Sequence, residues 1–353
     1  MCLACIDTRK ADAFAERMLG ILNGGSLALM TSLGHRTGLF DAMADGAPRT
    51  SAEIARRAAL HERYVREWLG AMVAGGIVTV DPETERYTLP AEHACFLTRA
   101  ASPDNLAVAA QFIPLLGAVE DDIVRCFREG GGVPYSRYPR FHEVMADESG
   151  QTVVAGLEEH ILPLVPGLSD RLREGVSVLD VGCGRGRAMN RLAQGFPRSR
   201  FHGYDFSAEA IATANAEALN GNAFFKVKDV ARIDEVARYD VITAFDAIHD
   251  QVDPARVLAA IRRALKPGGV FLMQDIKGRT AHHENVGHPL GPLLYTVSCM
   301  HCMTVSLAAG GAGLGAMWGR EKAEEMLADA GFTRIEVKEL PHDIMNYWYV
   351  VRP

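Results

Sequence analysis

From residue 176 onward the apolar positions of the chain fall into a regular rhythm. Short Val-, Ile- and Phe-rich runs at 176–181, 200–205, 223–228, 240–245 and 269–275 have the length of buried strands. The stretches between them, 187–195, 208–219 and 254–265, carry apolar residues at helical spacing, and Lys266, Pro267, Gly268 and Gly269 end the last of these helices. Strand and helix in alternation predict an α/β fold around a parallel sheet. A further helix at 320–330 leads through Gly331 to two more strands, 333–340 and 344–351.

The first hundred residues have a different pattern. A helix is expected at 10–22, with Phe14, Met18, Ile21 and Leu22 along one face, and Gly24 and Gly25 are expected to stop it. A second helix, from Leu27 toward Met43, carries Leu29, Met30 and Leu33 inward. These faces have few charges, which suits burial either against a partner subunit or within the chain. Thr50 and Ser51 then open a short helix to Ala59, an amphipathic helix follows at 61–74, and strands at 78–80 and 86–89 flank a turn at Asp81, Pro82, Glu83 and Thr84. Helix, turn, helix and hairpin make a winged helix, a module that places its second helix in a DNA groove. Residues 1–100 hold 11 Lys or Arg against 12 Asp or Glu, however, and the second helix sets Glu62 and Glu67 beside Arg63 and Arg66. Groove binding needs a strongly basic face, so the nucleic acid role is not expected. Residues 101–173 read as mainly helical with a loop at Gly130, Gly131 and Gly132. The expected domains are therefore 1–100, 101–173 and 174–353.

Candidate chemistry begins at the end of the first sheet strand. The run VSVLDVGCGRGR, residues 176–187, reads as strand, tight turn and helix start, with Gly182, Gly184 and Gly186 at every second position. A dinucleotide-binding turn has its glycines at relative positions one, three and six, but the sixth position here is Arg187, which argues against a pyrophosphate ligand. Asp180 suits a cationic amino-acid group rather than a phosphate, because two anions would repel there. Asp205, 23 residues past Gly182 at the end of the second strand, can accept both hydroxyls of a ribose.

The run LDVGCGRG resembles the first motif of class I S-adenosylmethionine-dependent methyltransferases, and the resemblance extends in order over about the last half of the chain. It implies a Rossmann-like sheet of seven strands, the last inserted antiparallel, and S-adenosylmethionine as cofactor. With the winged helix in front, the chain resembles small-molecule O-methyltransferases, which implies a dimer-forming role for the N-terminal domain and a homodimer. The implied cofactor residues are Asp180, Gly182, Cys183, Gly184, Gly186, Asp205, Phe206, Asp229, Val230 and Phe245, with Asp229 reading the adenine and Phe206 and Val230 flanking its ring. As a plain sequence feature, Asp229 also reads as a helix cap or a solvated loop residue. His249, beside Asp250 after the fourth strand, is implied to be the general base that takes a hydroxyl proton; a helix cap or cofactor contact is its other reading. The acidic residues that orient such a base in that family do not align here, with Asp275 and Glu284 as the nearby carboxylates. Tyr135, Tyr138, Phe141 and Met145 are implied to wall the cofactor and acceptor, or else belong to interdomain core.

Composition narrows the picture. With 48% hydrophobic residues over 353, the chain has ample material for a core, and a net charge of −7 gives no basic footprint. The start of the sequence has neither an apolar signal core nor an arginine-rich presequence, so a cytoplasmic protein with reduced cysteines is expected. The stretch from Val286 to Gly319 has no charged residue, but Gly, Pro, His and Ser interrupt it, so it reads as a buried wall lining the acceptor pocket rather than a membrane span. No metal is expected. The Cys2/Cys5 and Cys299/Cys302 pairs lie too far apart in sequence for an ordinary zinc module, and His282, His283 and Glu284 read as a polar loop. The function expected is methyl transfer to an oxygen of a small, rather apolar molecule. The alternatives are a winged-helix transcriptional regulator with a ligand-sensing methyltransferase-like domain, and an NAD-linked oxidoreductase disfavoured by Arg187.

Overall fold

A computed structural model of the chain describes residues 6–353, so Cys2 and Cys5 lie outside the described residues. They form two compact units, one ending at Leu115 and the other beginning at Leu116, which divides the expected linking segment between them.

The first unit opens on one helix, Thr8–Thr37, capped by the Asp7 carboxylate, which accepts from the backbone of Arg9 and Lys10. The break expected at Gly24 and Gly25 is absent. Both glycines are helical, and each costs only about 1 kcal/mol against alanine, which the good helix formers on either side offset. Thr50 and Glu53 form a reciprocal capping box at the start of Ser51–Ala58, and Glu62–Ala74 follows. Strands β1 (Thr79–Asp81) and β2 (Arg86–Thr88) pair antiparallel as the wing. Phe40, Ile54, Trp68, Leu69, Met72 and Leu89 fill the core between these elements. On the second helix Arg63 pairs with Glu67, and Arg66 with Glu62 at 3.3 Å, so its cations are answered on its own surface.

The second unit is built on β3 (Ser177–Val181), β4 (Arg200–Asp205), β5 (Ala223–Val227), β6 (Tyr239–Phe245), β7 (Leu265–Ile276), β8 (Arg334–Leu340) and β9 (Asp343–Arg352). The sheet order is β5-β4-β3-β6-β7-β9-β8, with β9 antiparallel to both its neighbours and the other pairs parallel. The alternation of a strand sends consecutive side chains to opposite faces. Val178, Val241, Leu272 and Val350 pack on one face with Met189 and Leu192 of helix Arg187–Gly195. Their chain neighbours Leu179, Ile242, Met273 and Val351 pack on the other with Leu258 and Ile261 of helix Pro254–Ala264. Both faces are covered, which is why the strands read as near-continuous apolar runs. The chain runs outward from β3 to β4 and β5 and then returns to lay β6 on the other side of β3, and a crevice opens at the carboxyl ends of these strands.

Candidate active site

β3 ends in the glycine turn. Gly182, Gly184 and Gly186 all have positive φ, at 73°, 51° and 67°. A Cβ on Gly182 would stand 2.5 Å from that of Ala247, and one on Gly186 would stand 2.5 Å from the ring of Phe225. Glycine is therefore required twice over at both positions, by conformation and by space. The Gly184 amide donates to Asp205 Oδ2 at 2.9 Å and the Ser207 amide to Oδ1 at 2.8 Å. Those two bonds fix the Asp205 carboxylate at the end of β4 while each oxygen keeps a lone pair for a ligand hydroxyl.

Around this turn lies a cavity of about 510 Å³, the size of a small-ligand site. All ten residues expected to hold the cofactor line it: Asp180, Gly182, Cys183, Gly184, Gly186, Asp205, Phe206, Asp229, Val230 and Phe245. Asp180 is buried, accepts a 2.6 Å hydrogen bond from the Thr243 hydroxyl, and has its carboxyl pushed up to about 7 by burial. A cation arriving beside it would favour the ionised form. Asp229 serves both of its readings, because it lines the cavity and also caps the turn Val230–Arg232 through the Ala231 amide. Tyr135, Phe141 and Met145 line the cavity too, and the Tyr135 ring lies 5.1 Å from that of Phe206. Tyr138 is not among the lining residues; its hydroxyl donates to the Met300 carbonyl at 2.5 Å. From the charge-free stretch only Val305 and Ala309 reach the cavity.

His249 is buried and does not line the cavity, whereas its neighbour Asp250 does. Its Nδ1 lies 2.7 Å from Asp275 Oδ1 and its Nε2 lies 3.3 Å from Asp250 Oδ1. Burial opposes charge on the imidazole, but the two carboxylates outweigh it and hold the ring protonated well above the ordinary histidine range. Asp275 is the carboxylate that orients this ring, and it in turn accepts from Trp318 Nε1 at 2.9 Å and from the Ile276 amide at 2.9 Å. Glu284 takes no part in this and pairs with Arg279 at 3.5 Å. The hydroxyl of Tyr135 donates to Asp250 Oδ2 at 3.0 Å, which ties the aromatic wall to the acid–histidine chain.

Three polar residues in the cavity wall escaped the sequence reading. Glu148 Oε2, Asp246 Oδ1 and Gln274 Oε1 are buried without a hydrogen-bond partner. Burial pushes the Glu148 carboxyl up to about 7 and that of Asp246 well above the carboxylate range. Asp246 has a φ of 49°, rare for a residue with a Cβ, and its sequence context FDAIHD gives no sign of it. Each is an acceptor suited to a donor carried by a ligand.

The sheet order, the glycine turn and the carboxylate at the end of β4 define the class, a Rossmann-like methyltransferase domain. Residues 172–337 match the family model of a methyltransferase domain, and residues 25–99 match that of an Rv2258c-like winged HTH domain. By fold and domain content the chain joins an N-terminal winged HTH domain to a methyltransferase domain. Trans-aconitate 2-methyltransferase of Deinococcus radiodurans is 34% identical over 113 residues, 32% of this chain and 41% of that protein. The chain spans under half the length of the curated relatives it matches. Among solved structures, the mitomycin 7-O-methyltransferase MmcR has a TM-score of 0.68 at 18% identity, covering 98% of this chain and 100% of its own. Human N-acetylserotonin methyltransferase in complex with its cofactor has a TM-score of 0.67 at 17% identity, covering 96% of this chain and 97% of its own.

Proposed function

We propose that this protein transfers the methyl group of S-adenosylmethionine to an oxygen of a small, rather apolar molecule. One observation carries the reading: a single cavity joins the glycine turn and Asp205 to Asp250, the cavity-facing end of the Asp275–His249–Asp250 chain. The residues fit the cofactor. The two glycines leave room where a side chain would intrude, Asp205 would accept ribose hydroxyls, Asp229 would meet the adenine edge, and Phe206 and Val230 would flank the ring. Buried Asp180 meets a cationic amino-acid end.

The cofactor supplies an electrophilic methyl on a sulfonium. The rest is the work of this chain. The aromatic wall of Tyr135 and Phe141 excludes water and orients the acceptor in line with the methyl, which is where most of the rate enhancement arises. His249 in its neutral form takes the acceptor's hydroxyl proton through Asp250, and Asp275 holds the imidazolium so formed. The names of the structural neighbours, among them a 7-O-methyltransferase, support oxygen as the acceptor atom. The protein works as a homodimer through helix Thr8–Thr37, on which Phe14, Leu19, Ile21 and Leu22 are each more than half exposed. Its setting is the cytoplasm; no helix among the described residues is long and apolar enough to cross a membrane.

The reading is tested by incubating the protein with methyl-labelled cofactor and a panel of small phenols and alcohols beside their amine counterparts. Label on oxygen is expected. Label found only on nitrogen would reassign the acceptor atom, and the absence of any transfer would contradict the reading.

A further inference from the structure

One buried cluster has a composition that proton transfer does not account for. A ring nitrogen of His249, a carboxylate oxygen of Asp250 and Cys302 Sγ all lie within 4.8 Å of one another, and Nδ1 is taken by Asp275, which leaves Nε2 for the cluster. His249 and Cys302 are 3% and 5% exposed, and Asp250 stands at the cavity wall. A thiol contributes nothing to accepting a hydroxyl proton, yet a thiolate, an imidazole and a carboxylate together are a ligand set for a borderline-soft divalent cation.

The surroundings are arranged as they are around metal ligands. Asp275 at 2.7 Å from Nδ1 fixes the tautomer and aims Nε2 at the cluster, the carboxylate–histidine arrangement that orients and strengthens a metal-binding imidazole. Asp275 is itself fixed by the Trp318 indole. The Tyr135 hydroxyl occupies Asp250 Oδ2, and Oδ1 is buried with no hydrogen bond, facing His249 Nε2 at 3.3 Å. Cys302 closes a π-helical turn, Ser298–Cys302, a backbone form found mostly at functional positions. Zinc bonds of about 2.0–2.3 Å place tetrahedral ligands roughly 3.5 Å apart, so ligand atoms within 4.8 Å of one another need to close by about 1.3 Å at most.

We propose that His249 Nε2, Asp250 Oδ1 and Cys302 Sγ form a three-ligand site for a divalent cation of the zinc type, with the fourth position left to water at the cavity wall. Binding of one dication releases the thiol proton and the proton on Nε2 to solvent. The site is distinct from the cofactor residues, but an ion on Nε2 takes the lone pair that proton transfer needs, so metal loading and the base role proposed for His249 exclude one another.

The full-length protein, stripped with chelator, is titrated with zinc by calorimetry and with cobalt by absorption. One ion per chain and a thiolate-to-cobalt charge-transfer band, bleached by added zinc, are expected. Cys302→Ser should abolish the band and weaken zinc at least tenfold, whereas Cys299→Ser and the Cys2→Ser/Cys5→Ser double variant should leave both unchanged. A band that survives Cys302→Ser, or that disappears with Cys299 or the N-terminal pair, would overturn the proposal. Should Cys302→Ser fail to fold, alkylation of the unaltered protein decides the matter. Zinc should protect Cys302 selectively, and equal alkylation with and without zinc would overturn the site. Retained S-adenosylmethionine binding in the stripped protein separates failure of this site from failure of the transferase reading.

Discussion

Asp180 carries the sharpest pH signature of the cofactor site. Its carboxyl is raised to about 7 by burial in the pocket wall, so below that pH it is neutral and offers a cation little. Affinity for S-adenosylmethionine should therefore rise as pH increases through about 7 and fall on acidification, with proton release on binding; calorimetry in buffers of different ionisation enthalpy measures both. Glu148, also near 7, faces the same cavity, so the Asp180→Asn variant identifies how much of the pH dependence belongs to Asp180. His249 bears on rate rather than on affinity. Two carboxylates hold it protonated above the ordinary range, and a base must first lose that proton, so turnover of a hydroxyl acceptor should climb with pH on the alkaline side of neutrality. His249→Gln should flatten that limb and lower kcat by about a hundredfold with cofactor binding intact, and unchanged turnover would assign the ring to packing. The sequence placed these residues because their neighbours in the chain mark strand ends. It could not place Trp318 on Asp275, or leave Glu148 and Asp246 without partners, because those relations arise between segments far apart in sequence.

At the scale of elements, the turn after β3 was the most legible feature of the chain, because glycine is the residue that both positive φ and close approach demand. Gly182→Ala tests this directly. A Cβ there meets Ala247 at 2.5 Å in a left-handed backbone conformation, so the variant should lose about 1–3 kcal/mol of stability and most of its cofactor affinity. Thermal unfolding and S-adenosylmethionine titration of the same sample check both. Near-continuous apolar runs with helical spacing between them likewise gave the parallel strands, since burial on both faces imposes that pattern, whereas the antiparallel β9 was implied only by the family resemblance. The N-terminal helix shows where local signals mislead. Paired glycines are a sound reason to expect a break, but Gly24 and Gly25 sit inside a 30-residue helix whose other residues outvote them. The small helix after Thr50 was legible for the complementary reason: its capping box is written in four consecutive residues, and Thr50→Ala should cost about 1 kcal/mol of stability in a thermal melt.

At the scale of the whole molecule, the winged helix and the methyltransferase sheet are separate compact units, and the former has the form of a DNA reader without its charge. The paired arginines of Glu62–Ala74 predict no sequence-selective duplex binding even at low salt. The exposed apolar face of Thr8–Thr37 predicts self-association instead; Phe14→Asp with Leu22→Asp should halve the solution mass measured by light scattering. Neither property alters the central claim, which concerns the cavity at the ends of β3, β4 and β6. That claim is tested most directly by calorimetric titration of the intact protein and of Asp205→Ala with S-adenosylmethionine, with NADH as the competing ligand class. Micromolar binding of S-adenosylmethionine that Asp205→Ala abolishes, with no uptake of NADH, is the predicted result. No binding of S-adenosylmethionine by the intact protein, or binding indifferent to Asp205, would contradict the account.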